Sequence, residues 1–229
     1  MINLSTRLFN KVLNFLVVVS MKVLLTGFDI FKKEKKNPSW EAIKDMEDIY
    51  FEGTEIVTRK LPVEFKKAIE IVSDLLLGIK PDFYIAFGLA GGRTTITVER
   101  VAINIMDSKA PDNSGYTPDD EPIFEDGPTA YFSTVPIKKI ITNLHNEGIP
   151  ALISNSAGTY VCNTVFYTGL YISEKYELPT RVGFVHLPYQ SDQVLDKNVP
   201  SYPIEFIKKA IKVVIKSLIS EYNEQNQQK

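Results

Sequence analysis

The sequence predicts a layered α/β fold in one domain, with helices covering both faces of a sheet. Two observations predict it. Apolar runs of four to six residues alternate with amphipathic stretches along most of the chain, the habit of strands and helices stacked in layers. Several of those runs are apolar without a polar alternation, as strands buried on both sides are. The length agrees: 229 residues fit one large domain, since a length over about 150 residues gives one to two.

Strands are expected at 22–27, 54–61, 83–88, 95–105, 151–155 and 181–187, and helices at 38–49, 63–78, 135–147, 159–175 and 203–222. The last helix carries Ile204, Ile207, Ala210, Ile211, Val214, Ile215 and Leu218, a stripe at helical spacing that reads as core packing. Residues 106–128 break the pattern with four prolines, two glycines and seven acidic side chains. A loop this long inside a compact domain is usually functional or disordered. It follows the strand bearing Glu99, so it is read as an active-site flap. Residues 1–20 stand apart. Arg7 and Lys11 precede the apolar run Val12 to Val19, which is too short to span a membrane at about 20 residues and lacks a small-x-small cleavage site before Met21. The reading is an N-terminal extension at 1–20 before a single domain at 21–229.

Composition excludes several functions. There are 26 basic and 28 acidic residues, a net −2, with no basic stripe for nucleic acid or an anionic membrane. The cluster Lys32, Lys33, Lys35 and Lys36 reads as solvated surface. One cysteine forms no internal disulfide, and with two histidines it makes no conventional zinc site. A lone thiol points to a reducing compartment.

Cys162 lies where the strand at 151–155 gives way, through Ser156-Ala157-Gly158-Thr159, to a helix. Unpaired N–H groups and partial positive charge in a helix's first turn favour a thiolate, and Thr159 is expected as N-cap. His186 ends a strand at the edge where ligands bind in open α/β sheets; a core histidine bonded to a carbonyl is the bland alternative. Glu99 either pairs with Arg100 or another base, or holds an imidazole in one tautomer. His145, near a helix end, reads as structural. Gly88-Leu89-Ala90-Gly91-Gly92-Arg93 suggests a phosphate cradle but fits neither the dinucleotide fingerprint nor the P-loop. Ser154-Asn155-Ser156-Ala157-Gly158 approximates a nucleophile elbow, leaving a serine hydrolase using Ser156 open, beside a catalytically silent small-molecule-binding protein.

Several segments resemble the pyroglutamyl peptidase I family of cysteine peptidases. They are Leu24-Leu25-Thr26-Gly27-Phe28-Asp29 with Phe31, Gly91-Gly92-Arg93, Glu99-Arg100-Val101-Ala102-Ile103-Asn104, Pro111-Asp112-Asn113, Ala157 to Asn163, and His186-Leu187-Pro188. The resemblance runs from Met21 nearly to the C-terminus. It implies a three-layer α/β/α sandwich around a mixed, mostly parallel twisted sheet. It also implies hydrolysis after an N-terminal pyroglutamyl residue through a thioester, with Glu99, Cys162 and His186 as the triad and Phe28 and Phe31 around the substrate ring. It implies no metal or organic cofactor, peptides with N-terminal pyroglutamate as substrates, a homotetramer and a cytoplasmic location. The chain departs from the family at Ile30-Phe31-Lys32-Lys33, where Pro-Phe-Gly-Gly is usual, at Leu89, where glutamine is usual, and at Lys109, where arginine is usual.

Overall fold

A computed structural model describes residues 21–227 apart from Lys33 and Glu52; the extension at 1–20 lies outside the described residues. The strands are β1 (Met21–Phe28), β2 (Thr54–Leu61), β3 (Phe83–Leu89), β4 (Ile96–Glu99), β5 (Val101–Ile103), β6 (Ala130–Phe132), β7 (Ala151–Ser154), β8 (Arg181–Leu187), β9 (Tyr189–Gln190) and β10 (Ser201–Tyr202). The helices are α1 (Pro38–Ile43), α2 (Phe65–Ile79), α3 (Ile137–Asn146), α4 (Val161–Lys175) and α5 (Ile204–Gln227). Six strands form the main sheet in the order β2-β1-β3-β8-β4-β7. The first four run parallel, β4 is antiparallel to β8, and β7 is parallel to β4. The sheet is mixed and mostly parallel, as the family resemblance implied.

Strand period two sorts the side chains into two cores. On one face Leu24, Tyr84, Ala86, Val182 and Phe184 meet Phe65, Ala68 and Val72 of α2 and Val165, Phe166 and Leu170 of α4. On the other, Val23, Leu25, Phe83, Ile85, Phe87, Val98 and Val185 meet Ala42 of α1, Ile140 and Leu144 of α3, and Ile207, Ile211 and Val214 of α5. Helices therefore cover both faces, completing the three layers. The stripe expected on the last helix is buried there, although Ile204 only partly.

Three local expectations differ from the structure. The strand expected at 95–105 is two strands divided at Arg100, whose N–H donates to Ser154 O (2.8 Å) and whose carbonyl accepts from Ser133 N–H (2.8 Å). There the chain leaves the main sheet and β5 pairs with β6. The first helix is short, starting on Asn37, whose side chain accepts from Ser39 N–H, with Pro38 next; one 3-10 turn, Met46–Asp48, follows it. Finally, α4 begins at Val161 with Tyr160 as N-cap, because the Thr159 hydroxyl instead donates to Asp107 O (2.8 Å).

The loop at 106–128 is held by hydrogen bonds. Buried Asp112 accepts from the N–H groups of Phe65 (2.9 Å), Ser114 (2.9 Å) and Tyr116 (3.0 Å) and from the Ser114 hydroxyl (2.6 Å). Phe65 opens α2, so the carboxylate also sits at the favourable end of a helix dipole. Asn113 then ties the loop to the segment before Lys32, donating to Ile30 O (2.8 Å). Burial pushes the Asp112 carboxyl up, but these donors outweigh it and hold it below the usual range. Its stabilisation is complete above the unfolded pKa of about 3.9 and is lost as pH falls through the lower folded value. Asp112→Ala should destabilise the protein by about 3 kcal/mol at neutral pH, read by urea denaturation; a change within about 0.5 kcal/mol contradicts this account of the loop.

Candidate active site

Antiparallel pairing sets Thr97 of β4 opposite His186 of β8. Glu99 lies two residues on, so it projects from the same face and is the diagonal neighbour of His186. Its Oε1 accepts from His186 Nδ1 at 2.7 Å. A carboxylate only accepts, so this bond places the imidazole proton on Nδ1 and leaves Nε2 as the free base. Glu99 is fully buried and His186 is 4 % exposed. Arg100 is not the partner of Glu99. Arg93 is: its Nη1 reaches the same Oε1 at 2.6 Å and also bonds Thr97 Oγ1, and its Nη2 donates to Ser156 O at 3.3 Å.

Cys162 is the second residue of α4, and its sulfur closes over the sheet at Gly88. Gly88 is the register partner of His186 on β3. A Cβ on Gly88 would stand 2.8 Å from Cys162 Sγ and 2.8 Å from Phe184 Cζ, so only glycine admits the sulfur there. The next residue, Asn163, is buried and staples the helix start to β5. Its Oδ1 accepts from Ile103 N–H (3.0 Å) and its Nδ2 donates to Ile103 O (2.9 Å) and Ile105 O (3.1 Å). Among the described residues the Cys162 sulfur makes no hydrogen bond; in sites without substrate such bonds are often long.

The electrostatics depart from what the helix start suggests. Burial pushes the Cys162 thiol up to about 12; the Glu99 charge adds to this and the Arg93 charge offsets part of it. Burial also pushes His186 below its usual value, outweighing the upward pull of Glu99. The Glu99 carboxyl is raised by burial but ends below its usual range, through His186 first and then Ser154 and Arg93. Thiol and imidazole therefore both rest neutral, with an ionised carboxylate behind the imidazole. Desolvation outweighs the helix dipole.

The remaining sequence candidates lie in several places. Phe28 is buried against the α2 side of the sheet, with its N–H bonded to Ser39 Oγ (2.9 Å). Phe31 is half-buried, edge-on to Tyr160 at 5.6 Å. With Leu89 and Tyr189 it lines a cleft of about 920 Å³ beyond the end of β3. Across that cleft Lys36 pairs with Asp192 at 2.7 Å and Lys197 with Glu34 at 3.7 Å, so part of the lysine cluster is engaged rather than merely solvated. Lys32 adopts φ of 53°, the left-handed region in which a glycine would be unstrained. Lys109 is exposed. Ser156 is exposed, its hydroxyl accepting from Gly158 N–H (3.2 Å). His145 bonds Ala151 O at 2.7 Å, as a structural residue does. In the sequence Arg93 belongs to a glycine-rich turn and to a segment resembling the family, with no role of its own; the signal is its place ahead of the alternating pair Thr97 and Glu99. Among the described residues no cluster of three metal-binding side chains occurs, and no helix is long and apolar enough to cross a membrane.

Comparison with known proteins gives a consistent result. The family model described as pyroglutamyl peptidase matches residues 21–221. The pyrrolidone-carboxylate peptidase of Thermococcus onnurineus is 52% identical over 197 residues, covering 86% of this chain and 98% of that one. That of Thermosipho africanus is 50% identical over 206 residues, covering 90% and 100%. A solved structure of a mutant pyrrolidone carboxyl peptidase from Pyrococcus furiosus superposes with a TM-score of 0.85 at 46% identity, covering 88% of this chain and all of that one.

A neutral resting thiol has a kinetic signature. The rate of Cys162 alkylation by iodoacetamide, followed by mass spectrometry, should still be climbing at about pH 9, the range of an unperturbed thiol. A plateau already reached below about pH 7 would mean a resting thiolate.

Proposed function

The chain belongs to the pyroglutamyl peptidase family and hydrolyses the amide bond that follows an N-terminal pyroglutamyl residue, and we propose that Cys162, His186 and Glu99 carry out that reaction. The observation that supports these roles best is the 2.7 Å bond from His186 Nδ1 to Glu99. It orients the imidazole and leaves Nε2 free on the face that Cys162 covers.

Attack by Cys162 Sγ on the pyroglutamyl carbonyl carbon is coupled to transfer of the thiol proton to His186 Nε2. The Glu99 charge stabilises the imidazolium so formed. The oxyanion meets the first N–H groups of α4, which have no partner within the helix. Collapse expels the peptide amine, which takes the proton from Nε2, and leaves a thioester. Water then attacks the thioester with Nε2 again as base. Pyroglutamate leaves and the thiol recovers its proton. The leaving amine needs a proton donor, so a histidine with a depressed pKa serves: it returns readily what it takes.

Recognition is assigned to Phe28 and Phe31. Pyroglutamate is a neutral five-membered lactam, suited to aromatic walls and backbone hydrogen bonds without a carboxylate to grip an ammonium. A homotetramer and a cytoplasmic location belong to the same proposal. Leu152 on the edge strand β7 and Phe132 on β6 are exposed at 57% and 72%, apolar surface that an assembly would cover. A free thiol nucleophile suits a reducing compartment.

The test is release of a fluorogenic amine from pyroglutamyl, prolyl and free glutamyl amides. Wild type should cleave the first alone, and Cys162→Ser should lose turnover by a factor on the order of 10³ or more while folding normally. Phe31→Ala should raise KM about tenfold with kcat little changed, as loss of uniform binding does. Full activity in Cys162→Ala returns the serine reading with Ser156; an unchanged KM in Phe31→Ala removes that ring from the pocket.

A further inference from the structure

The turn Gly88-Leu89-Ala90-Gly91-Gly92-Arg93 matches neither phosphate-binding pattern, yet its geometry is built. Gly92 has φ of 92°. A Cβ on Gly91 would stand 2.6 Å from the Tyr189 hydroxyl, and Arg93 N–H closes the turn on Ala90 O at 3.2 Å. What this delivers is the Arg93 guanidinium, lying against a carboxylate that has no exposure of its own.

The choice of oxygen matters. Arg93 Nη1 and His186 Nδ1 both bond Glu99 Oε1, at 2.6 and 2.7 Å. A carboxylate bonded to the imidazole alone would lend it the whole negative charge and hold the proton on the ring. Bonded to the arginine alone, it would be a structural ion pair. Sharing one oxygen fixes that oxygen in place and divides its charge. The second guanidinium arm reaches Ser156 O, in the segment that leads into Tyr160 and Cys162, so one side chain joins the base's orienter to the nucleophile's approach.

We propose that Arg93 is a positioning residue of the triad: it fixes the Glu99 oxygen that orients His186 and, by sharing it, limits how strongly the carboxylate holds a proton on the imidazole. This rests on the reading of Glu99, His186 and Cys162 as the catalytic groups. The charged groups acting on His186 are Glu99 from β4 and Arg93 from the turn after β3, while Cys162 of α4 lies over Gly88, the register partner of His186. In that set the Arg93 charge opposes resting protonation of His186, which keeps the base free, and favours ionisation of Cys162.

The experiment compares full pH profiles of kcat and kcat/KM on a pyroglutamyl amide for wild type, Arg93→Gln, Arg93→Lys and Glu99→Gln, with the folded fraction measured by circular dichroism. Arg93→Gln should lose kcat at least about tenfold with KM within about twofold. Its acid limb should move to higher pH, because an undivided Glu99 holds the imidazole proton more firmly. Arg93→Lys keeps the charge but not the planar fork, so its limb should stay near wild type while kcat recovers in part. An Arg93→Gln profile with an unmoved limb, its loss matched by a smaller folded fraction, overturns the inference; if that variant does not fold, the limb of Arg93→Lys decides instead, and a shift there overturns it. Wild-type kcat in Glu99→Gln would defeat the triad reading itself, whereas an impaired Glu99→Gln beside an unimpaired Arg93→Gln defeats only the role of Arg93.

Discussion

An ionised carboxylate in the interior costs several kcal/mol unless partners replace the water it has lost, and Glu99 is buried without any exposure. Much of the surrounding architecture answers that constraint. The one reversal of direction in the sheet, β4 against β8, brings Thr97 level with His186 and sets Glu99 diagonally behind it. On the other side β4 runs parallel to β7, placing Ser154 beside Glu99. The turn after β3 returns Arg93 to the same oxygen. Removing any one of these partners leaves a buried charge short of compensation, so the elements that carry them are held in a single register.

The same burial keeps the proposed nucleophile, Cys162, quiet at rest. A thiol pushed up to about 12 and an imidazole pushed below its usual value both favour their neutral forms. In the proposed mechanism chemistry then depends on a proton moving from sulfur to nitrogen as the substrate carbonyl arrives, when the developing oxyanion gives the helix N–H groups a charge to stabilise. A thiol with little resting thiolate is also less open to oxidation and stray alkylation, since the thiolate is the reactive species.

What the sequence made legible follows from which forces are local. The layered fold was readable because strands such as β3, buried on both faces, need apolar residues at every position. The residues proposed as the triad stood out by residue type, position at element edges and a specific resemblance, and the structure brings Glu99 within 2.7 Å of His186. The break at Arg100 was not, since the apolar run continues through Val101, Ala102 and Ile103 while the cause lies in distant carbonyl and amide groups of Ser154 and Ser133. The cap at Thr159 failed for the same reason, its hydroxyl being claimed by Asp107 across the fold. A thiolate was expected from the helix start, a local feature, and was overruled by desolvation, a property of the whole packing. Arg93 stood in view beside two glycines, but its partner emerges only once the turn folds back.

In the proposed triad Glu99 holds His186 as a neutral imidazole with its proton on Nδ1 and its base on Nε2. Nitrogen-15 NMR of histidine-labelled protein at neutral pH measures this directly. The chain has only two histidines, so a His145→Gln variant isolates the signal of His186. The account predicts one protonated nitrogen, Nδ1, and one bare nitrogen, Nε2, in the resting enzyme. A doubly protonated ring at neutral pH, or a proton on Nε2 with Nδ1 bare, would contradict it.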